Sequence, residues 1–255
     1  MFKYYINYVL TYTAWSIVTL LQDFCNKKRI DNKIMKKEAI QYADIYIKII
    51  GTVTYNVYIL SMPGALLLSY FVNLQDKEVT IINTCTDLVL SYLLSDLFFY
   101  ISHRSFHTKL LFNYHKKHHE LNAPVGMGAL YMSGVELYGN LIPVILGPVL
   151  ISATALVMHI WIFIAVTNTI IISHTNYKNW SEFHDRHHLH RTCNYGIGGL
   201  MDYIFCTEYN PKNYKNKKCD DDGNKLNKNL NSNKKIIFIF DKVYNNLIEE
   251  PVDEI

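Results

Sequence analysis

The stretch HRSFHTKLLFNYHKKHHE, residues 103–120, decides which kind of protein this sequence encodes. It contains an H-x3-H motif at 103–107 and an H-x2-H-H motif at 115–119, and a second H-x2-H-H follows at 184–188. Residues three and four apart share a face of a helix, so each motif should aim two or three imidazoles in one direction. Simple template counting gives about 0.02 chance occurrences of H-x2-H-H in such a chain. The repeated motif therefore predicts metal binding.

The three motifs hold eight histidines, twice the number that one tetrahedral zinc ion takes. Eight imidazoles suit two metal ions that keep open positions. Imidazole binds Fe, Cu, Zn and Ni, so the ligand type does not by itself select iron. A membrane setting would favour oxygen chemistry on a hydrophobic substrate. A zinc- or copper-dependent membrane hydrolase, or a metal transporter, is the alternative, and activity without O2 would distinguish it.

The composition predicts a membrane protein. Half of the residues are hydrophobic and only 18% are charged, whereas about a quarter of the residues of a soluble domain are charged. Apolar segments run over 55–72, 84–101 and 135–173, and the last is long enough for two helices that turn near Gly147-Pro148. We expect an all-α, multi-pass transmembrane helical bundle of about four spans with a His-rich helical cap. Asp87 and Asp96 should face its interior, because carboxylates are costly in lipid.

The chain divides into three predicted regions. Residues 1–54 should form a membrane or interfacial helix followed by a basic cytosolic segment at 26–37. Residues 55–210 should form the catalytic domain with its transmembrane helices. Residues 211–255 form a polar, low-complexity tail that composition predicts to be disordered.

Charge predicts the orientation of the bundle. The basic segments at 26–37, at 104–119 and after Lys178 are separated by even numbers of spans, so all three can lie on one side. Basic loops favour the cytosol, which places every histidine motif on the cytosolic face. The net charge is only +3, and we expect no nucleic-acid partner. The five cysteines lack C-x-x-C spacing, so neither a disulfide framework nor a zinc ribbon is expected.

Residues outside the motifs have less certain roles from the sequence alone. His159 lies in an apolar helix and His190 follows the third motif, and both are expected to be structural. His174, at the end of the last span, could be a ligand or not. Asp185 is either a partner of a ligand imidazole or a solvated acid. Arg104 either binds a carboxylate or phosphate, or anchors the helix at the cytosolic surface.

The motifs and their surroundings resemble the fatty acid hydroxylase/sterol desaturase superfamily, and within it the sterol C4-methyl oxidases. The boxes of that family are H-R-x-x-H, H-x-x-H-H and H-x-x-H-H. Residues 115–131, HKKHHELNAPVGMGALY, resemble the pattern HKxHHExxAPxGxxxxY of the 4-methyl oxidases. SHTNY at 173–177, FHDRHH at 183–188 and MDYIFCTE at 201–208 resemble further segments of the family.

The resemblance implies a non-haem di-iron oxidoreductase, a methylsterol monooxygenase-like enzyme of the endoplasmic reticulum membrane. It would use O2 and electrons from NAD(P)H, delivered by cytochrome b5 or its reductase, to oxidise the 4-methyl group of a sterol in sterol biosynthesis. The ligands of the two Fe ions that it implies are His103, His107, His115, His118, His119, His174, His184, His187 and His188.

The sequence also departs from the family pattern near the expected site. Ser133 and Gly134 replace a His-Pro pair, Asn176 replaces a glycine of the H-x-G-Y segment, and Cys206 replaces the glycine of F-G-T. The resemblance therefore leaves three alternatives, namely a sterol C5-desaturase, a fatty acid hydroxylase and a degenerate, non-catalytic member of the family.

Overall fold

A computed structural model describes residues 2–25, 39–72, 78–177 and 180–211. Within these ranges all regular structure is helical and no strand occurs, as the sequence predicts. The predicted basic segment 26–37, most of the loop after residue 72 and the C-terminal tail from residue 212 lie outside the described residues.

The helices follow one another along the chain. They are α1 (Lys3–Cys25), α2 (Ala39–Tyr55), α3 (Met62–Val72), α4 (Ile81–Phe106), α5 (Phe112–His115), α6 (Gly134–Leu150), α7 (Ala155–Thr167), α8 (Glu182–His190) and α9 (Leu200–Ile204). Short 3-10 turns lie at His118–Glu120 and Gly126–Leu130. A π-helical turn at Asn56–Leu60 joins α2 to α3, and another at Asn168–Ile172 extends α7.

Three helical stretches of the described chain are long and apolar enough to cross a membrane. They are Tyr42–Leu68, Ile81–Phe106 and Ala155–Ile172, and α6 is apolar but shorter. The prediction of a multi-pass helical bundle is confirmed. The first stretch begins earlier than the predicted 55–72, because the π-helical turn carries the chain from α2 into α3 without a break in the rod.

The turn inside the apolar region 135–173 lies later than predicted. Gly147 and Pro148 are inside α6, and the chain turns at residues 151–154 instead. There Ser152 takes a positive φ of 57°, and the Thr154 hydroxyl accepts a hydrogen bond from the Val157 amide at the start of α7. This side-chain cap satisfies an amide that has no partner within the helix, so the turn forms where the cap is available.

The prolines of α6 help to bind it to α4. A proline removes one intrahelical hydrogen bond and leaves the carbonyl four residues earlier without its donor. The carbonyls freed by Pro143 and Pro148 belong to Gly139 and Val144. Ser102 of α4 donates to the first at 2.5 Å and Ser95 of α4 donates to the second at 2.8 Å. Hydrogen bonds of this kind hold helices together where lipid removes the hydrophobic driving force.

The polarity of the first helix is the reverse of that of a helix in a soluble protein, because polar residues lie on its buried face and apolar residues on its exposed face. Its buried face carries Thr11, Ser16 and Thr19, whereas Leu10 and Ile17 on the opposite face are more than half exposed. An outward apolar face suits contact with lipid acyl chains. The buried side packs on α7, where the Trp15 indole donates to Thr167 Oγ1 at 2.9 Å. Asp87 and Asp96 of α4 are also buried, as predicted.

Close packing of α4 and α6 predicts a large effect for Gly147→Ala. The added Cβ would lie 2.7 Å from Ser95 Oγ and 2.9 Å from the Ser91 carbonyl oxygen. Overpacking of this kind costs about 1–3 kcal/mol, so the unfolding midpoint in detergent should fall by several degrees. Gly51→Ala is the control, because a Cβ there meets nothing within 4 Å and alanine favours the helix by about 0.5–1 kcal/mol. Equal midpoints for the two variants would contradict the packing.

Candidate metal centre

The structure brings all nine histidines implied by the sequence into two adjacent buried groups. The first, the five-histidine group, contains His103, His107, His115, His119 and His187. The second, the four-histidine group, contains His118, His174, His184 and His188. Within each group one ring nitrogen of every histidine lies within 4.8 Å of those of the others. The two groups together offer donors for two metal ions.

Each H-x2-H-H motif divides its histidines between the two groups. On α8, His184 and His188 belong to the four-histidine group and His187 to the five-histidine group. Successive residues of a helix are about 100° apart around its axis. His188 therefore points about 40° to one side of His184, and His187 points about 60° to the other side. Each H-x2-H-H motif therefore aims two imidazoles at one group, as expected, and the third at the other. The motif thus serves two neighbouring sites.

Hydrogen bonds fix the protonation of three rings in the five-histidine group. His103 Nδ1 lies 2.8 Å from the Tyr195 carbonyl oxygen, and His187 Nδ1 lies 2.7 Å from that of Cys193. A carbonyl oxygen can only accept, so each Nδ1 donates and each neutral ring keeps a lone pair on Nε2. The third ring, His115, has its Nδ1 2.7 Å from Glu136 Oε1 and donates to it when that carboxylate is ionised.

The bare nitrogens of these rings point at one another. His103 Nε2 lies 3.3 Å from His115 Nε2, and neither atom has a proton to donate. His115 Nε2 is also 2.9 Å from the Nε2 atoms of His107 and of His119. The facing lone pairs of His103 and His115 repel unless a cation lies between them. The arrangement of the donors therefore fits a metal ion.

The four-histidine group has the same character. His174 Nδ1 donates to the Thr169 carbonyl oxygen at 2.6 Å, and its Nε2 lies 3.3 Å from His118 Nε2. The π-helical turn at Asn168–Ile172 presents this carbonyl at the end of the last apolar helix, and such turns are frequent at functional sites. His184 Nε2 and both ring nitrogens of His188 are buried without a hydrogen-bond partner among the described residues, which leaves them available as ligands.

Burial keeps these imidazoles neutral. It lowers the pKa of His174 to about 4. It also lowers the pKa values of His107, His118 and His188 well below the usual range, and neighbouring histidines lower them further. A neutral imidazole is the form that binds a metal ion, so the site is in its binding form at neutral pH.

Glu136 is a site residue that was not expected from the histidine motifs. Its carboxylate is fully buried and holds His115 in the tautomer that presents Nε2 to the group. Carboxylate–histidine pairs of this kind orient metal ligands and raise their basicity. The signal in the sequence was an acid in the first turn of an otherwise apolar helix, three residues after Ser133. The Ser133 hydroxyl accepts from the Glu136 amide at 3.2 Å and so caps that helix.

Other residues considered from the sequence lie outside the two groups. Asn7 contacts the ring of His159 at 3.3 Å, and the ring of His190 stacks on Tyr209. Asp185 is buried and accepts a hydrogen bond from the Ser181 hydroxyl. Arg104 donates to the Tyr100 hydroxyl at 2.9 Å.

A cavity of about 680 Å³ leads to the two groups. Its walls are mainly apolar side chains of α1, α3, α6 and α7. At its inner end lie three histidines of the four-histidine group, His118, His174 and His184, and one of the five-histidine group, His103. Ligand sites of enzymes are typically about 300–1,000 Å³ and largely apolar. The four-histidine group is thus the one that an apolar ligand would meet more directly.

Fold and site together define a helical membrane protein with two groups of buried histidines, compatible with metal binding, beside an apolar cavity. Residues 88–207 match the model of the family described as "Fatty acid hydroxylase". This region contains both groups, and the resemblance to the superfamily is confirmed. No solved structure matches the chain.

Named relatives are similar over about half of the chain. Fatty acid hydroxylase domain-containing protein 2 of Homo sapiens is 35% identical over 128 residues, which are 48% of this chain and 38% of that protein. Very-long-chain aldehyde decarbonylase GL1-11 of Oryza sativa subsp. indica is 31% identical over 144 residues, 50% of this chain and 53% of the relative. A Dictyostelium discoideum protein provisionally named methylsterol monooxygenase is 30% identical over 114 residues, 40% and 42% of the two chains. The chain thus spans about half or less of these relatives.

The buried neutral imidazoles predict how the stability of the metal-free protein depends on pH. An unfolded histidine binds a proton near pH 6.5, whereas His174 in the folded chain does so only near pH 4. Between these values the unfolded state binds more protons, so the free energy of unfolding rises with pH. Lowering the pH from 7.5 to 5 should reduce the thermal midpoint by at least about 4 °C, the order expected for 1–2 kcal/mol. A midpoint independent of pH would contradict this.

Proposed function

We propose that this chain is a membrane-bound di-iron oxygenase that oxidises a C–H bond of a lipid, with the 4-methyl group of a sterol as the substrate position. The observation that carries the proposal is the convergence of nine neutral imidazoles into two adjacent groups at the end of an apolar cavity. Iron bound there would supply the O2 chemistry that no side chain can perform.

The balance of the reaction determines what the protein must admit and exclude. One O2, two electrons and two protons convert the C–H bond into C–OH and one water. NAD(P)H is the proposed source of the electrons, through cytochrome b5 or its reductase. The four-histidine group offers one donor fewer than its neighbour and lines the cavity, so we assign the position nearest the substrate to it. The apolar walls exclude water from that position.

The cavity supports a substrate that arrives from the membrane. Leu67 of α3 and Ile142 of α6 both line it and are 61% and 57% exposed. The cavity therefore opens between these helices, and α6 lies beside spans that are long enough to cross a bilayer. A lipid can enter through this side without passing through water.

The choice of a sterol rests on the segment around the second motif. Residues 115–131 carry the pattern typical of 4-methyl oxidases, and one relative is provisionally named for that activity. Location in the endoplasmic reticulum, with both groups facing the cytosol, is part of the same proposal. It agrees with the basic character of residues 104–119 at the cavity's inner end.

Product analysis tests the function. Purified protein reconstituted with Fe(II), NADH, cytochrome b5 and its reductase should convert 4,4-dimethylsterol into 4-hydroxymethyl and 4-carboxyl products, detected by mass spectrometry. His118→Ala should reduce turnover at least about 100-fold, since it removes a ligand of the ion nearest the cavity. Lys116→Ala is the matched control, because this side chain is exposed and its loss should change the rate by less than about twofold.

Each contrary result would remove a different part of the proposal. Oxidised fatty acyl products in place of sterol products would favour the fatty acid hydroxylase alternative. Well under two irons per chain in intact, folded protein would favour a non-catalytic member of the family. Activity that persists without O2 would end the oxygenase proposal.

The role of the cavity predicts the effect of filling it. Ala165 of α7 lines the cavity, so Ala165→Phe should occupy substrate space and raise the KM for the lipid at least about tenfold without changing iron content. Ala14→Phe makes the same change on the exposed face of α1 and should leave the KM unchanged. If Ala165→Phe were equally silent, the lipid would bind elsewhere.

A further inference from the structure

Two buried carboxylates hold the loop that follows α8. Asp96 belongs to α4 and Asp202 to α9, and both are fully buried. The loop between α8 and α9, residues 191–199, runs between them. Its backbone meets both carboxylates, although they come from positions more than a hundred residues apart in the sequence.

The two carboxylates accept successive amides of this segment. Asp202 accepts the amides of Tyr195 and Gly196 at 2.8 and 2.7 Å. Asp96 accepts those of Ile197 at 2.7 Å and Gly198 at 3.2 Å through Oδ1. Its second oxygen, Oδ2, accepts the Met201 amide at 3.1 Å. Hydrogen bonds between amides and ionised acceptors are the stronger kind, so the position of this backbone is firmly defined.

Gly196 lies where the two carboxylates converge. A Cβ at this position would be 2.7 Å from Asp96 Oδ1 and 2.9 Å from Asp202 Oδ2. Only glycine lets both oxygens approach the backbone this closely. A third contact closes the arrangement, because the Thr207 hydroxyl donates to Asp202 Oδ1 at 2.6 Å.

The same segment supplies the acceptors that orient two histidines. His103 Nδ1 donates to the Tyr195 carbonyl and His187 Nδ1 donates to the Cys193 carbonyl. Both rings belong to the five-histidine group. In contrast, His174 of the four-histidine group is oriented by a carbonyl of the π-helical turn, on a different element.

We infer that Asp96 and Asp202 are positioning residues for one metal ion only, the ion of the five-histidine group, and that they act through the backbone of residues 193–198. The inference rests on the proposed function for the presence of metal, and it concerns how the chain holds its ligands. Loss of either carboxylate should release the loop, turn His103 and His187, and weaken one of the two ions.

Metal content tests the inference without an activity assay. Full-length protein in detergent is dialysed anaerobically against Fe(II) at graded free concentrations, and iron per chain is measured by mass spectrometry. Asp96→Asn places an amide N–H2 against backbone donors, so one of the two ions should bind about 10–100-fold more weakly. Asp87→Asn makes the same change on the same helix about 13 Å away along its axis and should keep both affinities.

A double variant identifies the ion that is affected. His118→Ala alone should lose the ion of the four-histidine group and keep the other. At iron concentrations that saturate the remaining site of each single variant, the double variant His118→Ala/Asp96→Asn should hold almost no iron. If the double variant held as much iron as His118→Ala alone, Asp96 would not support the five-histidine group and the inference would be overturned.

A milder change covers the case in which Asp96→Asn does not fold. Thr207→Val removes one hydroxyl bond to Asp202 and should weaken the same single ion by up to about tenfold. Folded Thr207→Val protein that binds both ions with wild-type affinity would overturn the inference. Wild-type protein that holds two irons but yields no lipid product would contradict the proposed function. The inference would not be affected by that result, because the metal measurements alone decide it.

Discussion

The structure depends on repulsion that only a cation can relieve. His103 and His115, whose Nδ1 atoms contact a carbonyl and a carboxylate acceptor, present their Nε2 atoms to one another at 3.3 Å. Burial keeps these rings from taking up protons instead. The surrounding helices, caps and loops hold the donors together against this repulsion, so a metal ion bound there would stabilise the fold.

Helices of an apolar bundle can hold such a site because their polar groups satisfy one another internally. Serines of α4 bond to carbonyls that the prolines of α6 leave free, and threonines and serines of α1 face inward while its leucine and isoleucine face outward. The cavity lies between these helices and ends at the four-histidine group. Fold, access and metal binding therefore depend on the same few helix contacts.

Much of this was predictable from the sequence. Local periodicity is enough to identify an apolar helix, and the fixed spacing of the histidine motifs is enough to identify ligands. The bundle, the burial of Asp87 and Asp96, and eight of the nine grouped histidines followed from such local patterns, whereas His174 was implied by the family resemblance. The likeness of residues 103–208 to one superfamily added a reaction class that spacing alone left open.

Other features depended on contacts between distant parts of the chain and could not be predicted. The division of each H-x2-H-H motif between two groups depends on where the partner helices lie. The link from Glu136 to His115 and the convergence of Asp96 and Asp202 on one loop require the fold itself. The turn after α6 was placed too early because Gly-Pro normally ends a helix, whereas here Ser95 and Trp161 both bond to the carbonyl that Pro148 frees.

That pairing of proline-freed carbonyls with serines also has a mechanical consequence. The two contacts lie five residues apart on α6 and seven apart on α4. They join the helices at two levels along their axes and oppose sliding of one helix along the other. When a bilayer thins or thickens, helices tilt to match it. A pair joined in this way tilts as a unit, which keeps His103 at the end of one helix level with Glu136 at the start of the other. The end of the bundle that carries the histidine groups is thereby protected from strain in the surrounding lipid.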